Sequence, residues 1–258
     1  MSIEVHTHTL QEYRRRINAV LDYIYANLDE ELKLETLAGI AMFSKFHFHR
    51  IFRAIVGETL TDHIRRIRLE RAANQLIYDV SKPILDIALD CGFSSQANFA
   101  KAFRRHFGQT PSGMRTACEV SKNGKTIRKD GKALDIQDSQ IADVHSAQNN
   151  NESLYRRMLE MNVEVKSLPD YEVAYARHLG AYSSETIGPI YEKLCAWAGP
   201  KGFLNDNSTF IGLSWDNPEV TPPEKCRYDA CLVVPEGTNV AGDIGKATIK
   251  GGTYAVYR

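Results

Sequence analysis

Apolar residues recur at helical intervals through the first part of the chain and at alternate positions beyond about Leu154. In Tyr13–Asn27 the residues Ile17, Val20, Leu21, Ile24 and Leu28 mark one stripe, which predicts an amphipathic helix. In Ser44–Val56, Phe48, Ile51, Phe52 and Ile55 follow the spacing i, i+3, i+4, i+7 and form an inner face. Thr59–Tyr78 is rich in Arg, Leu and Ala and lacks Gly and Pro, so one continuous helix is expected there. Ser81 and Pro83 sit where a new helix would begin. Further on, Phe99, Ala102, Phe103 and His106 repeat the inner-face spacing, with His106 read as a structural histidine.

Two of these stretches repeat one another. Ala38/Ala88, Phe43/Phe93 and Ser44/Ser94 match at an offset of 50. After one inserted residue, Phe48/Phe99, Phe52/Phe103, Arg53/Arg104, Gly57/Gly108 and Thr59/Thr110 match at 51. Each copy predicts a short helix, a tight turn, and a second helix opened by Ser and closed by Gly. That is a helix-turn-helix pattern, whose second helix enters a DNA major groove. The predicted reader helices span 44–56 and 95–107, and a stiff helix between them would hold them in successive grooves.

The second part predicts strands at Val163–Leu168, Val173–His178, Thr209–Trp215 and Tyr228–Val234. Ile244–Ile249 and Thr253–Tyr257 begin what reads as a second strand pair. Glu185–Ala198 is the one helical stretch, with Ile187, Ile190, Tyr191, Leu194 and Trp197 or Ala198 on one face. Between the two parts, 118–153 is polar, with Lys-Gly turns and an Asn run, and reads as a mobile linker. The expected organisation is a helical domain at 1–117, the linker, and an α+β domain at 154–258.

Charge sharpens this picture. The 258 residues have zero net charge, yet 44–115 hold twelve Lys/Arg against six acids, leaving +6 there and −6 elsewhere. On the outer face of the first reader lie Phe46, His49, Arg50 and Arg53, with Lys45 and His47 on the shoulders. Arg50 suits a guanine edge, Phe46 a thymine methyl or sugar, and Arg53 and Lys45 suit phosphates. The competing reading is a partly buried Phe46 among solvated charges. On the second reader Ala97, Ala100, Lys101 and Arg104 face outward, with Gln96 on a shoulder. Gln96 and Lys101 are its candidate base or phosphate contacts, and it is expected to add affinity more than discrimination.

The residues 44–57 and above all ILDIALDCGFSSQANFAKAFRRHFGQTPSGMR, 84–115, resemble the DNA-binding domain of AraC/XylS-type transcription regulators. The resemblance covers roughly residues 10–117. It implies seven helices carrying two helix-turn-helix motifs, and binding to double-stranded promoter DNA near RNA polymerase. By position, Phe46, His49 and Arg50 match that family's base-contacting sites in the first reader, and Gln96, Ala97 and Lys101 those in the second. Ala97 departs from the polar residues often found there.

The segments VEVKSLPDYEVAYARHLGAYS, IGPIYEKLCAWA and PPEKCRYDACLVV resemble the GyrI-like effector domain of Rob-like regulators. That domain is implied to be two strand-helix-strand-strand copies with a cleft for small, often hydrophobic molecules. Comparing Lys166–Arg177 with Lys246–Arg258 places the start of a second copy near Asp243, so an incomplete second copy is expected. The acidic residue that family members often place in the cleft is not found. Tyr182, Trp197, Trp215, Tyr228 and Tyr254 are the candidate ligand-lining aromatics, with core packing the competing role for each.

Other chemistry finds little support. GxSxG, P-loop and HExxH motifs are absent. His6/His8 and His47/His49 diverge by about 200° on a helix, a poor metal clamp, so neither a metal nor another cofactor is expected. Glu185 and Glu192 read as solvated, and Cys226 and Cys231 as structural thiols. Five cysteines without a CxxC pair fit reduced thiols and a cytoplasmic location. No run reaches membrane-spanning length, and the start of the chain lacks an apolar signal core. The leading expectation is a sequence-specific transcription regulator, not an enzyme. A small hydrolase in the C-terminal half, or a protein-sequestration module using a sheet edge, are the alternatives.

Overall fold

The computed structural model describes residues 2–123 and 163–257, with side chains for 9–117 and 163–257. Most of the expected polar linker therefore lies outside the described residues. Seven helices run through the first part: α1 (Ser2–Ala26), α2 (Leu34–Ile40), α3 (Lys45–Val56), α4 (Leu60–Tyr78), α5 (Ile84–Asp90), α6 (Gln96–Phe107) and α7 (Pro111–Asn123). Among the described residues beyond 162 there follow β1 (Val163–Leu168), β2 (Tyr171–Leu179), α8 (Ser184–Ala198), β3 (Phe210–Ser214), β4 (Arg227–Val233), β5 (Gly245–Ile249) and β6 (Gly252–Tyr257). The expected class, a helical double helix-turn-helix domain followed by an α+β domain, is what the chain adopts.

Local sequence explains the helix ends. Ser44 and Ser95 precede α3 and α6 in extended conformation and accept the backbone N–H of His47 and Asn98, satisfying donors that a helix start leaves free. Gly57 and Gly108 close the same helices at φ 77° and 73°, a left-handed geometry that other residues adopt only with strain. Thr59 caps α4 in the same way as the serines, accepting from Asp62.

Two hydrophobic cores flank α4. In the first, the predicted stripe Ile17, Val20, Leu21, Ile24 and Leu28 packs with Phe48, Phe52, Leu60 and Ile67. In the second, Leu69, Ala72, Ala73 and Leu76 pack with Ile87, Phe99 and Phe103. The connector thus contributes side chains to both cores, which fixes each helix-turn-helix to a shared rod about 28 Å long at 1.5 Å per residue. One inner-face expectation fails: His106 is exposed and meets the Phe107 ring edge-on at 4.5 Å. Phe107, which continues the aromatic row at 4.6 Å from Phe103, takes the half-buried position instead.

The strands form a four-stranded sheet in the order β3-β4-β2-β5 and a two-stranded sheet of β1 with β6. β4 runs antiparallel to both neighbours, with Ala176 opposite Ala230 and Gly212 opposite Ala230 on its other side. β5 and β6 do not pair with each other as the sequence suggested. Their pairing is reciprocal: β1 takes β6 and β2 takes β5, so the two similar segments exchange strands. Ala174, Ala176, Ala230 and Leu232 pack against Ile190, Leu194 and Ala198 of α8. By contacts the chain divides into two compact units, one joining Met1–Glu119 with Glu172–Ala247, the other containing β1 and β6.

Candidate nucleic-acid interface

The first reader turns two unlike faces. Phe48 and Phe52 are fully buried, whereas Phe46 is 88% exposed. Lys45, His49, Arg50 and Arg53 are exposed beside it. An isolated ring in solvent among cations has the chemistry of a surface awaiting a partner that is anionic and partly apolar. His47, by contrast, is held in place: its Nε2 lies 3.3 Å from the Tyr13 hydroxyl, and its ring meets Phe43 edge-on at 5.0 Å. The cation Arg16 covers the same Phe43 ring at 5.3 Å.

Lys45 is not a bare charge. Its ammonium hydrogen-bonds the Glu35 carboxylate of α2, which that contact holds below the usual carboxylate range. A phosphate contact by Lys45 would have to compete with Glu35.

On the second reader Gln96, Ala97, Lys101 and Arg104 are exposed, as is Arg105. Ala100, Lys101, Arg104, Arg105 and Thr110 line a shallow groove. At 100° per residue Arg105 falls between the outward face and the buried one, so helical spacing alone does not point to it. Neither α3 nor α6 has an acid in its first turn, unlike α2, α4 and α5 with Glu35, Asp62 and Asp86. The partial positive charge at each reader's N-terminus is thus left uncompensated by acid and favours an approaching anion.

Several cations that composition would assign to DNA are structural. Arg66 is buried in α4, donating to Glu58 at 2.7 Å and to Glu70 at 2.9 Å. Burial alone would raise the Glu58 pKa, but the hydrogen bonds from His63 and Arg66 outweigh it and hold that carboxylate at about 2. Burial lowers His63 and raises Glu70. Arg68 donates to three backbone carbonyls, those of Leu28, Gly92 and Glu30, at 2.8, 3.0 and 2.7 Å. Glu70 lies one turn on in α4, but Glu58 and the three carbonyls lie outside that helix, so its periodicity carries no sign of them.

Each of the five candidate ligand aromatics has partners of its own. Tyr182 and Tyr228 meet edge-on at 6.1 Å, and the Tyr228 hydroxyl lies 3.0 Å from that of Tyr191 on α8. Trp197 packs instead on Phe203 at 5.6 Å. Trp215 is half exposed, with its indole N–H donating to Asp229 at 2.7 Å. Tyr254 lies on β6, its hydroxyl donating to the Lys250 carbonyl at 2.5 Å.

What sequence reasoning missed is a charged seam on the sheet face away from α8. Arg177 and Asp229, each 3% exposed, form a two-pronged ion pair at 2.7 and 2.6 Å. The same guanidinium reaches Asp22 of α1 at 2.7 Å, and the Tyr175 hydroxyl donates to Asp22 at 2.5 Å. Next to them Arg227 pairs with Asp216 at 2.9 Å and lies over the Tyr25 ring at 3.2 Å. The sign in the sequence is parity: Arg177 and Asp229 alternate with Ala176 and Ala230, which pack on α8, and so share the other face with Tyr175 and Cys231.

Residues 37–117 match the helix-turn-helix domain family, and 161–258 match the GyrI-like small molecule binding domain. The chain is 36% identical over 103 residues to the regulatory protein SoxS of Salmonella typhimurium, covering 40% of this chain and 95% of SoxS. The chain belongs to the AraC-type family of helix-turn-helix regulators. It is also 41% identical over 101 residues to the probable transcription factor PqrA of Proteus vulgaris, 38% of this chain and 82% of PqrA. To the transcriptional regulator Rob of Salmonella typhimurium it is 38% identical over 108 residues, 42% of this chain and only 37% of Rob. Among solved structures, the DNA-binding domain of AdpA with its target DNA matches 43% of this chain and 98% of that one, at 26% identity and TM-score 0.40. An AraC-type domain followed by a GyrI-like one is a Rob-like architecture. Among the described residues, no helix is long and apolar enough to cross a membrane.

Proposed function

We propose that this family member is a sequence-specific transcription regulator that lays α3 and α6 into successive major grooves of promoter DNA. The observation that carries this reading is the face contrast on α3, where Phe46 is 88% exposed among cations and Phe48 is fully buried. Arg50 and Phe46 read base edges, helped by His49, while Arg53 and Lys45 grip phosphates. Gln96, Ala97, Lys101 and Arg104 form the second contact. Successive major grooves on one face of B-DNA lie about 34 Å apart, a separation that the α4 rod is suited to bridge. A single chain thereby reads an asymmetric site.

RNA polymerase is the second macromolecular partner in this reading, on the strength of the family likeness. A small hydrophobic effector acting through the GyrI-like segment completes it. No observation favours a hydrolase: Glu185 and Glu192 are exposed, and burial pushes the Cys231 thiol up to about 12.

Selection of bound duplexes from a random pool, followed by gel shifts at several salt concentrations, tests the reading. A recovered consensus held in preference to its scrambled version is the expected result. Equal retention of both overturns it.

A further inference from the structure

The charged seam borders a cleft of about 550 Å³ between α4 and the segment 215–227. Its walls include Tyr25 of α1, Gln75 and Tyr78 of α4, and Trp215 and Arg227. Two of these side chains carry polar atoms that are buried and have no hydrogen-bond partner among the described residues: the Tyr25 hydroxyl and the Gln75 Oε1. Leaving each such group unpaired costs about 1–3 kcal/mol, which a ligand offering a hydrogen bond would recover. At the mouth, Trp215 and Tyr78 are 50% and 68% exposed, aromatic surface that solvent gains nothing by covering.

We infer that this cleft is a small-molecule site for a hydroxylated aromatic compound, and that its occupancy is felt at the first reader. A phenolic hydroxyl both donates and accepts, so it is matched to either group, Gln75 Oε1 or the Tyr25 hydroxyl, once that side chain turns its buried atom to the cleft. Trp215 and Tyr78 offer exposed aromatic surface to a flat ring. The charges around the cleft are largely balanced internally: Asp216 pairs with Arg227, and Glu70 with Arg66. A neutral ligand is therefore favoured over a strongly anionic one.

The link to the reader is on the same segment. Past Asp216, the side chain of Asn217 donates to Asn74 of α4 at 3.0 Å. Eight residues on, the Lys225 ammonium donates to the carbonyl of Val56, the last residue of α3, at 3.2 Å. A cation on a helix C-terminal carbonyl is favourable, and moving the segment alters how α3 is held. This coupling rests on the proposed DNA-binding role; the binding site does not.

Calorimetric titration of the full chain with 2-naphthol, and with naphthalene as the probe lacking the hydroxyl, tests the site. Saturable 2-naphthol binding, at least tenfold weaker for naphthalene, is expected. Gln75→Leu and Tyr78→Ala should each weaken it at least tenfold. Gln75→Leu should also melt no lower than the parent without ligand, because it removes an unpaired buried acceptor. No binding, or equal binding by both probes or by all three proteins, overturns the site. For the coupling, 2-naphthol should shift half-saturation of the selected DNA at least threefold in the parent and not in Lys225→Met. An unchanged DNA affinity in the parent overturns the coupling. Failure of the ligand-free chain to select any DNA overturns the functional reading instead and leaves the calorimetric result standing.

Discussion

The Arg68 guanidinium, on the connector helix α4, donates to the carbonyl of Gly92, in the turn of the second helix-turn-helix, at 3.0 Å. Two further donations, to Leu28 and Glu30, tie it to the loop that opens the first. One side chain thus fixes both readers to the rod between them. Gly92 makes the contact possible: its φ is +74°, and an added Cβ would lie 2.6 Å from both the Arg68 Cζ and the Leu28 carbonyl oxygen. Arg68→Ala should cost about 1–3 kcal/mol, since three carbonyls lose a charged donor. Gly92→Ala should cost at least as much, adding backbone strain of about 1–2 kcal/mol to the clash. Thermal unfolding checks both. Unchanged melting for Arg68→Ala would show that the three hydrogen bonds do not fix the readers.

Arg50 and Arg53 lie on one exposed face with different assigned tasks. Arg50→Ala should cost about 1–3 kcal/mol on the selected site and relax preference at one base pair. Arg53→Ala should weaken specific and random DNA alike and reduce the salt slope by about one. Gel shifts on matched and single-mismatch duplexes distinguish them. If both variants lose specific and random binding equally, Arg50 does not read a base.

Glu35 is exposed and holds Lys45. Glu35→Gln should free that ammonium for phosphate, tightening binding to every sequence severalfold at low salt with no change in preference. Affinity measured at two ionic strengths on specific and scrambled DNA gives the answer. No gain at either would mean that Lys45 stays away from phosphate.

The helical half was legible from its sequence because its determinants are local. Ser44, Ser95, Gly57 and Gly108 set helix ends within a turn of themselves, and the Phe48/Phe52 spacing sets the buried face. Where local logic failed, as at His106, the aromatic row Phe99, Phe103 and Phe107 took the inner position one residue on. The sheet was legible as strands but not as pairings. Val163–Leu168 carries no mark that its partner is Gly252–Tyr257, because register is decided by contacts far apart in sequence. The seam was hidden for the same reason. Arg177 looks like a solvated strand residue until Asp229, 52 positions later, and Asp22 of α1 are brought to it.

Buried ionisable groups on and beside α4 give the fold a definite pH response. Glu58 titrates near 2 in the folded chain against 4.5 for the free group, so the unfolded chain binds its proton first as pH falls. Its contribution is fully present above 4.5 and is lost progressively between 4.5 and about 2. His63 is also lowered, chiefly by burial, which adds a loss starting as pH drops below the ordinary histidine value of 6.5. Glu70, raised by burial, opposes both in part, since its proton is held more tightly when folded. With Glu58→Gln the Arg66 guanidinium keeps Glu70 as partner while the low-pH term disappears. The variant should melt below the parent at pH 7, and the gap between the two should narrow as the buffer is taken from pH 4.5 to 3. A gap that stays constant over that range would mean that Glu58 is not the carboxylate responsible for the acid limb.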